Sequence, residues 1–265
     1  MRHTNPVIWL KGVDKNYTLL VGGKGAQLGE LKKNGFNVPE GFVISTEFYK
    51  DIMKTPGLSK KIHEILSSLD VENTEDLEKA STKIQSFITA VILRGDVEEE
   101  ILNAYRKIGG LVAVRSSATV EDLKDASFAG QLSTFLNVKE NELIKSVKRC
   151  LASLFTARAI YYRTQKKFGL TKVSVAVVVQ AMISSKKAGV AFSVNPVTNN
   201  SQEILIEAAQ GLGEAVVSGR GAPDSYVVAK DNNQVKEIRT AGKHRILSDG
   251  EISRLSETIR KMRAN

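Results

Sequence analysis

Cysteine is nearly absent from this 265-residue chain, and a single copy, Cys150, excludes an intrachain disulfide. It stands in VKRCLASLF, a helical stretch, and reads as a small core residue rather than a nucleophile. No apolar run is long enough to span a bilayer, and the start MRHTNPVIWLKGVDK lacks the apolar centre and small-residue cleavage site of a secretory leader. The expectation is a soluble, cytoplasmic protein with no membrane partner. Aromatic residues make up 6% of the chain and are not interleaved with the basic ones, which argues against a stacking platform for nucleic acid. Internal repeats and low-complexity segments are missing too. His3, His63 and His244 fall in no shared motif and read as surface residues.

Positive charge and apolar periodicity are what the chain does have. The formal net charge is +9, with basic residues dense in IKSVKRC and TARAIYYRTQKKFGLTK. Two amphipathic helices with solvated basic faces account for these; a polyanion site is the competing reading. The 42% hydrophobic content suffices for one large domain or two smaller ones.

Periodicity divides the chain into a helical first part and a sheet-rich second part. GFVIS (41–45) is a short strand, followed by helices over TEFYKDIM, LSKKIHEILSSL and TEDLEKASTKIQSFITAVIL, the last with Thr74 as its N-cap. DVEEEILNAYRKIG is a further helix that Gly109 can end. From residue 111, LVAV, STFLNV, KVSVAVVVQAMI, AGVAFSV, EILIEAA, SYVVA and QVKEIRT are β-branched-rich runs, the last two joined by a KDNN hairpin turn. Two helices over 140–168 interrupt them, and SDGEISRLSETIRKMRAN is a closing helix with a Ser248–Glu251 capping box. The pattern predicts an α+β fold, with a first subdomain over 1–110 and a second over 111–265.

Four segments carry candidate chemistry. VGGKGAQLGEL sets Gly22, Gly23 and Gly25 around Lys24 at a helix start, the ingredients of a phosphate site, although no Ser or Thr follows the lysine as in a P-loop; a tight turn with a solvated lysine is the alternative. RSSATVEDLKDASFAGQ (115–131) begins with Arg115 at the end of a buried strand, where its fork can hold a phosphate, or else pair with Glu121 or Asp122. Ser116, Ser117, Thr119, Ser127 and Thr134 offer hydroxyls around it, and Gly130 permits a turn over a ligand. VVVQAMISS could present the backbone of Gln180, Ala181 and Met182 to a purine edge. EILIEAAQGLGEAVVSGRGAPDSYVV brings Glu207 and Glu214, candidates for ribose hydroxyls or a metal-bound water, or merely solvated carboxylates.

Together VGGKGAQLGEL, VPEGFVIS, VAVRSSATVEDLKDASFAGQLST, AGVAFSVNP and GLGEAVVSGRGAPDSY resemble, in order, the N-terminal nucleotide-binding domain of the phosphoenolpyruvate synthase and pyruvate phosphate dikinase family. The resemblance runs from about Val21 to Tyr226; rifamycin phosphotransferases share the domain. It implies an ATP-grasp fold in which Lys24 and Arg115 hold the ATP phosphates, Gly130 and Thr134 belong to a lid loop, and Gln180 with Met182 form the adenine hinge. Glu214 joins this nucleotide-binding set as a ribose candidate. In complete members ATP phosphorylates a histidine on a swivelling domain, and a third domain carries the acceptor chemistry. The family's metal-binding Asp-x-Glu and its Gln-x-Arg come after the helix that here reaches Asn265, and neither pattern follows RKMRAN in this sequence; Lys124 stands where proline is common. The resemblance therefore implies ATP and Mg²⁺ as cofactors, with metal ligands, phosphohistidine domain and phosphoenolpyruvate or pyruvate domain supplied in cis or in trans. A nucleotide-binding module without turnover is the other reading.

Overall fold

A computed structural model describes residues 6–119, 133–166, 173–213, 216 and 222–264. The chain forms two compact units, Met1–Met182 and Ile183–Asn265. The boundary expected near residue 110 falls inside the first unit, because one sheet there takes strands from both sides of it.

That sheet contains β1 (Val7–Trp9), β2 (Gly41–Ile44), β3 (Val112–Ala118), β4 (Thr134–Val138) and β5 (Val175–Ala181) in the order β1-β2-β5-β3-β4. Every neighbouring pair is antiparallel. β5 is central, and its unbroken run VAVVVQA follows from burial on both faces. Val175, Val177 and Val179 join the larger core, while Ala176 and Val178 join a smaller one with Val21, Ala26 and Val43. The smaller core lies under α1 (Thr18–Lys33).

The larger core is built with α2 (Thr46–Met53), α3 (Leu58–Ser67), α4 (Thr74–Thr89), α5 (Gly95–Ile108), α6 (Glu140–Ala152) and α7 (Ala157–Gln165). Asn73, not Thr74, caps α4: its side-chain oxygen accepts from the N–H groups of Glu75 and Asp76 at 3.1 and 3.2 Å. The same helix stops at Thr89, short of the expected Leu93. Lys148 Nζ donates to the carbonyls of Thr89 and Val91 at 3.2 and 2.8 Å, which satisfies helix-end acceptors without a further turn. Gly109 ends α5 as expected, with a φ of 72°.

In the second unit β6 (Lys187–Phe192), β7 (Glu203–Gln210), β8 (Asp224–Ala229) and β9 (Val235–Arg239) pair antiparallel in sequence order. Ile204, Ile206, Tyr226 and Val228 form its core with Ile252 of α8 (Asp249–Ala264) and Leu247. The capping box at the start of α8 is present: Glu251 accepts from Ser248 N–H at 2.7 Å, and Ser248 Oγ accepts from Glu251 N–H at 3.4 Å.

Asp224 braces this unit. Fully buried, its carboxylate accepts from Ala241 N–H at 2.9 Å, Ile246 N–H at 2.7 Å and the Tyr226 hydroxyl at 2.8 Å. Burial alone would raise its pKa, but these donors and the Arg245 charge outweigh it and hold the carboxyl below its usual value. Its signal in the sequence is slight, an acidic residue at the head of the apolar DSYVVA strand.

Candidate functional site: a glycine-kinked helix on strand β3

The glycines of α1 stand at a break between two helical segments, with Lys24 in the first turn of the second. Gly22 has φ 70° and ψ 172°, so the backbone breaks within Thr18–Lys33 and resumes through Lys24. A Cβ on Gly22 would lie 2.1 Å from the Ser117 carbonyl oxygen, so α1 can approach β3 this closely only without a side chain at that point. Ser117, buried in β3, locks the contact: its hydroxyl donates to the Val21 carbonyl at 2.9 Å and accepts from Gly25 N–H at 3.1 Å. Two backbone groups that the kink would leave unpaired are satisfied by one side chain more than 90 residues away in sequence.

Arg115 lies in mid-strand, not at a strand end, because β3 continues through Ala118. Its Cα partners are Thr134 on β4 and Val178 on β5. Directly opposed residues share a face, so Arg115, Thr134, Ser117 and Gln180 all lie on the α1 side with Val178. Thr134 is exposed and Arg115 half-buried. Arg115 enters no ion pair with a described residue; Glu121 and Asp122, its alternative partners, lie outside the described residues, as do Lys124, Ser127, Gly130 and Glu214.

Lys24 follows the kink and is half-buried. Its charge is felt at Cys150, whose thiol donates to the carbonyls of Val114 at 3.6 Å and Ser133 at 3.8 Å, the chain neighbours of Arg115 and Thr134. Burial pushes that thiol up to about 12, against the lowering effect of Arg149, the Ser116 backbone and Lys24. Cys150 is therefore a neutral core residue, as its helical context suggested.

Three expected ligand hydroxyls serve the fold instead. Ser117 is engaged as described; Ser116 Oγ donates to Ser133 O at 3.0 Å, and Thr119 Oγ1 donates to Ser174 O at 3.2 Å. The hinge strand also differs from expectation. Ala181 N–H donates to Glu40 O at 2.8 Å and Met182 N–H to Leu111 O at 2.9 Å, so neither is available to a purine edge. Gln180 is nearly buried and its amide donates to Pro39 O at 3.3 Å. Sequence could not reveal this, since the acceptors lie 71 to 141 residues away.

In the second unit, the sheet face opposite α8 carries two cross-strand rows: Phe192, Leu205, Val227 and Glu237, and beside it Val190, Glu207, Ser225 and Arg239. Glu207 thus stands in a polar row flanked by an apolar one. Among the described residues no group of three His, Cys, Asp or Glu converges where a metal ion could be held. No helix among them is long and apolar enough to cross a membrane.

Lys24, just past the glycine kink of α1, and Arg115, in mid-strand on the α1 side of the sheet, are thus brought to neighbouring elements by the Ser117 bridge. Residues 18–261 match the family described as pyruvate phosphate dikinase, AMP/ATP-binding domain, and the chain belongs to that family. It is 48% identical over 250 residues to a probable phosphoenolpyruvate synthase of Archaeoglobus fulgidus, covering 92% of this chain and 33% of that protein. Identity is 41% over 286 residues to the Methanothermobacter thermautotrophicus probable phosphoenolpyruvate synthase, covering 97% of this chain and 42% of the relative. It is 43% over 250 residues to the Aeropyrum pernix phosphoenolpyruvate synthase, covering 91% and 30%. The chain thus spans well under half the length of these relatives. It is an ATP-binding domain of the α+β, ATP-grasp-like kind.

Proposed function

We propose that this chain grips the polyphosphate of ATP between Lys24 and Arg115, with Thr134 beside them, as the nucleotide-binding part of a phosphoenolpyruvate synthase-type phosphotransferase. The observation that carries the reading is the Ser117 bridge, which seats the Gly22–Lys24 kink on the strand that bears Arg115. A half-buried arginine on a largely apolar face is costly unless an anion or water compensates it, and a triphosphate supplies that compensation. The two cations neutralise charge and orient the chain of phosphates, which is the main protein contribution to phosphoryl transfer.

Mg²⁺ in this reading arrives on the nucleotide, and the roles of Lys24 and Arg115 do not depend on it. Gly130, which falls between β3 and β4 in the sequence, is proposed to cover the phosphates. Gln180 and Met182 contribute to the adenine pocket through their side chains and carbonyls, since their neighbourhood's N–H groups are already bonded. The relatives' greater length supports further domains that would carry the phosphohistidine and the pyruvate chemistry.

Calorimetric titration with ATP tests the assignment. Lys24→Ala or Arg115→Ala should each weaken binding by about 1.5 to 3 kcal/mol, the range for a charged hydrogen bond. Unchanged affinity in both variants, with both folded, would remove the site from this face of the sheet.

A further inference from the structure

The second unit holds a cationic cavity that nucleotide binding at Lys24 and Arg115 does not use. About 250 Å³ in volume, it is lined by Ser193, Lys230, Ile259, Arg260 and Arg263. Arg260 and Arg263 are three apart on α8 and so share a side of the helix. Lys230 follows β8. Arg260 Nη1 donates to the Lys230 carbonyl at 2.9 Å, which fixes the helix end against the β8–β9 turn.

Basic residues in a last helical turn are ordinarily explained by the helix dipole. That explanation covers Arg263 but neither Arg260, a turn earlier, nor Lys230, which belongs to another element. The Lys230 ammonium donates to the Ser201 carbonyl, so its position beside the two guanidiniums is held rather than incidental. Partial burial, and then the Arg263 charge, draw its pKa below the usual value. Among the described residues no carboxylate forms an ion pair with any of the three, although Glu203, Glu237, Asp249 and Glu251 of the same unit are all paired elsewhere. Three converging cations with a hydroxyl and no counter-ion repel one another unless an anion joins them.

We propose that this cavity is a second oxyanion site, taking a phosphoryl group between the Lys230 ammonium and the two guanidiniums with Ser193 as a further donor. Its volume admits a free phosphate or the phosphomonoester end of a small metabolite. Guanidinium forks suit the tetrahedral oxygens, and Ile259 gives an apolar wall for a short carbon chain.

The test is a titration of the 265-residue chain, followed by amide NMR shifts at Ser193, Lys230 and α8, with inorganic phosphate, with glycerol 3-phosphate and with chloride at matched ionic strength. The background is the Lys24→Ala, Arg115→Ala double variant, so that the outcome is independent of the ATP site. Saturable shifts with one or both phosphoryl compounds and not with chloride are expected; whichever binds more tightly identifies the source. Arg263→Gln should weaken binding at least fivefold and Lys230→Gln likewise. If Arg260→Gln unfolds the unit because it holds the Lys230 carbonyl, the exposed Arg263 still decides. Shifts equal in chloride, or unaltered by both Arg263→Gln and Lys230→Gln, would overturn the site.

Discussion

In the five-stranded sheet β5 sends Val175, Val177 and Val179 into one core and Ala176 and Val178 into another, whereas the four-stranded sheet is covered by α8 on one face and leaves Phe192 40% exposed on the other. A sheet sealed on both sides tolerates few polar residues, and those it keeps are bound by the fold, as Ser116, Ser117 and Gln180 are, or held nearer solvent, as Arg115 and Thr134 are. A sheet covered on one side can host charge freely on the other, and it needs a separate device to hold its cover. Here that device is Asp224, which ties the segment from Ala241 to Leu247 to β8 together with Tyr226.

The contrast predicts that the first unit breaks by steric intrusion and the second by loss of a polar brace. Gly22→Ala should have the largest effect, since the new Cβ meets the Ser117 carbonyl at 2.1 Å and the φ of 70° is unfavourable for alanine. A loss of about 3 kcal/mol or more in urea denaturation is expected, confined to the first unit's transition. Asp224→Ala should cost about 3 kcal/mol in the second unit by removing the charged acceptor of three donors, among them the buried Tyr226 hydroxyl, read as faster amide exchange at Ile246 and Ala241. Equal effects on both units would erase the distinction between them.

Acid titration sharpens the same contrast. The folded carboxyl of Asp224 has a pKa below the ordinary 3.8, so its contribution is complete above that value and disappears as pH falls through the lower folded value. Second-unit amide exchange should accelerate there in the wild type and show no such step in Asp224→Asn.

Ser117→Ala is a smaller test within the first unit. A loss of about 1 to 2 kcal/mol of stability is expected from the two broken bonds. If the bridge also positions Lys24, the variant should weaken ATP binding in the wild type but not further in Lys24→Ala, a coupling that a double-mutant cycle measures. Asn73→Ala, remote from either sheet's polar residues, should lower stability by about 1 kcal/mol through loss of the α4 cap and leave ATP binding unchanged.

Local physics was legible where it acts alone. The α2 helix, the Gly109 stop, the hairpin after β8 and the Ser248–Glu251 box all follow from residues a few positions apart. Where a distant group competes, the outcome shifts: Asn73 displaced Thr74 as cap, and Lys148 ended α4 early. The candidate site was legible as a set of residue types, Lys24 and Arg115 among glycines and hydroxyls, but not in the employment of each. RSSA looked like a polar loop because serines and an arginine break an apolar run, yet β3 includes them, since Ser116 and Ser117 find backbone partners beside β4 and on α1.

Sequence by itself determined the α+β class, the placement of most helices and strands, and a family membership carried by the glycine and RSSA segments, because propensity, capping and turn chemistry act over a few residues. Only the tertiary structure decided that Gly22 is needed for contact with Ser117, that the β5 end has its N–H groups already bonded, and that Asp224 holds the second unit. Each of those depends on a partner 17 to 141 positions away, and burial makes every such polar group take the nearest acceptor or donor that the fold delivers.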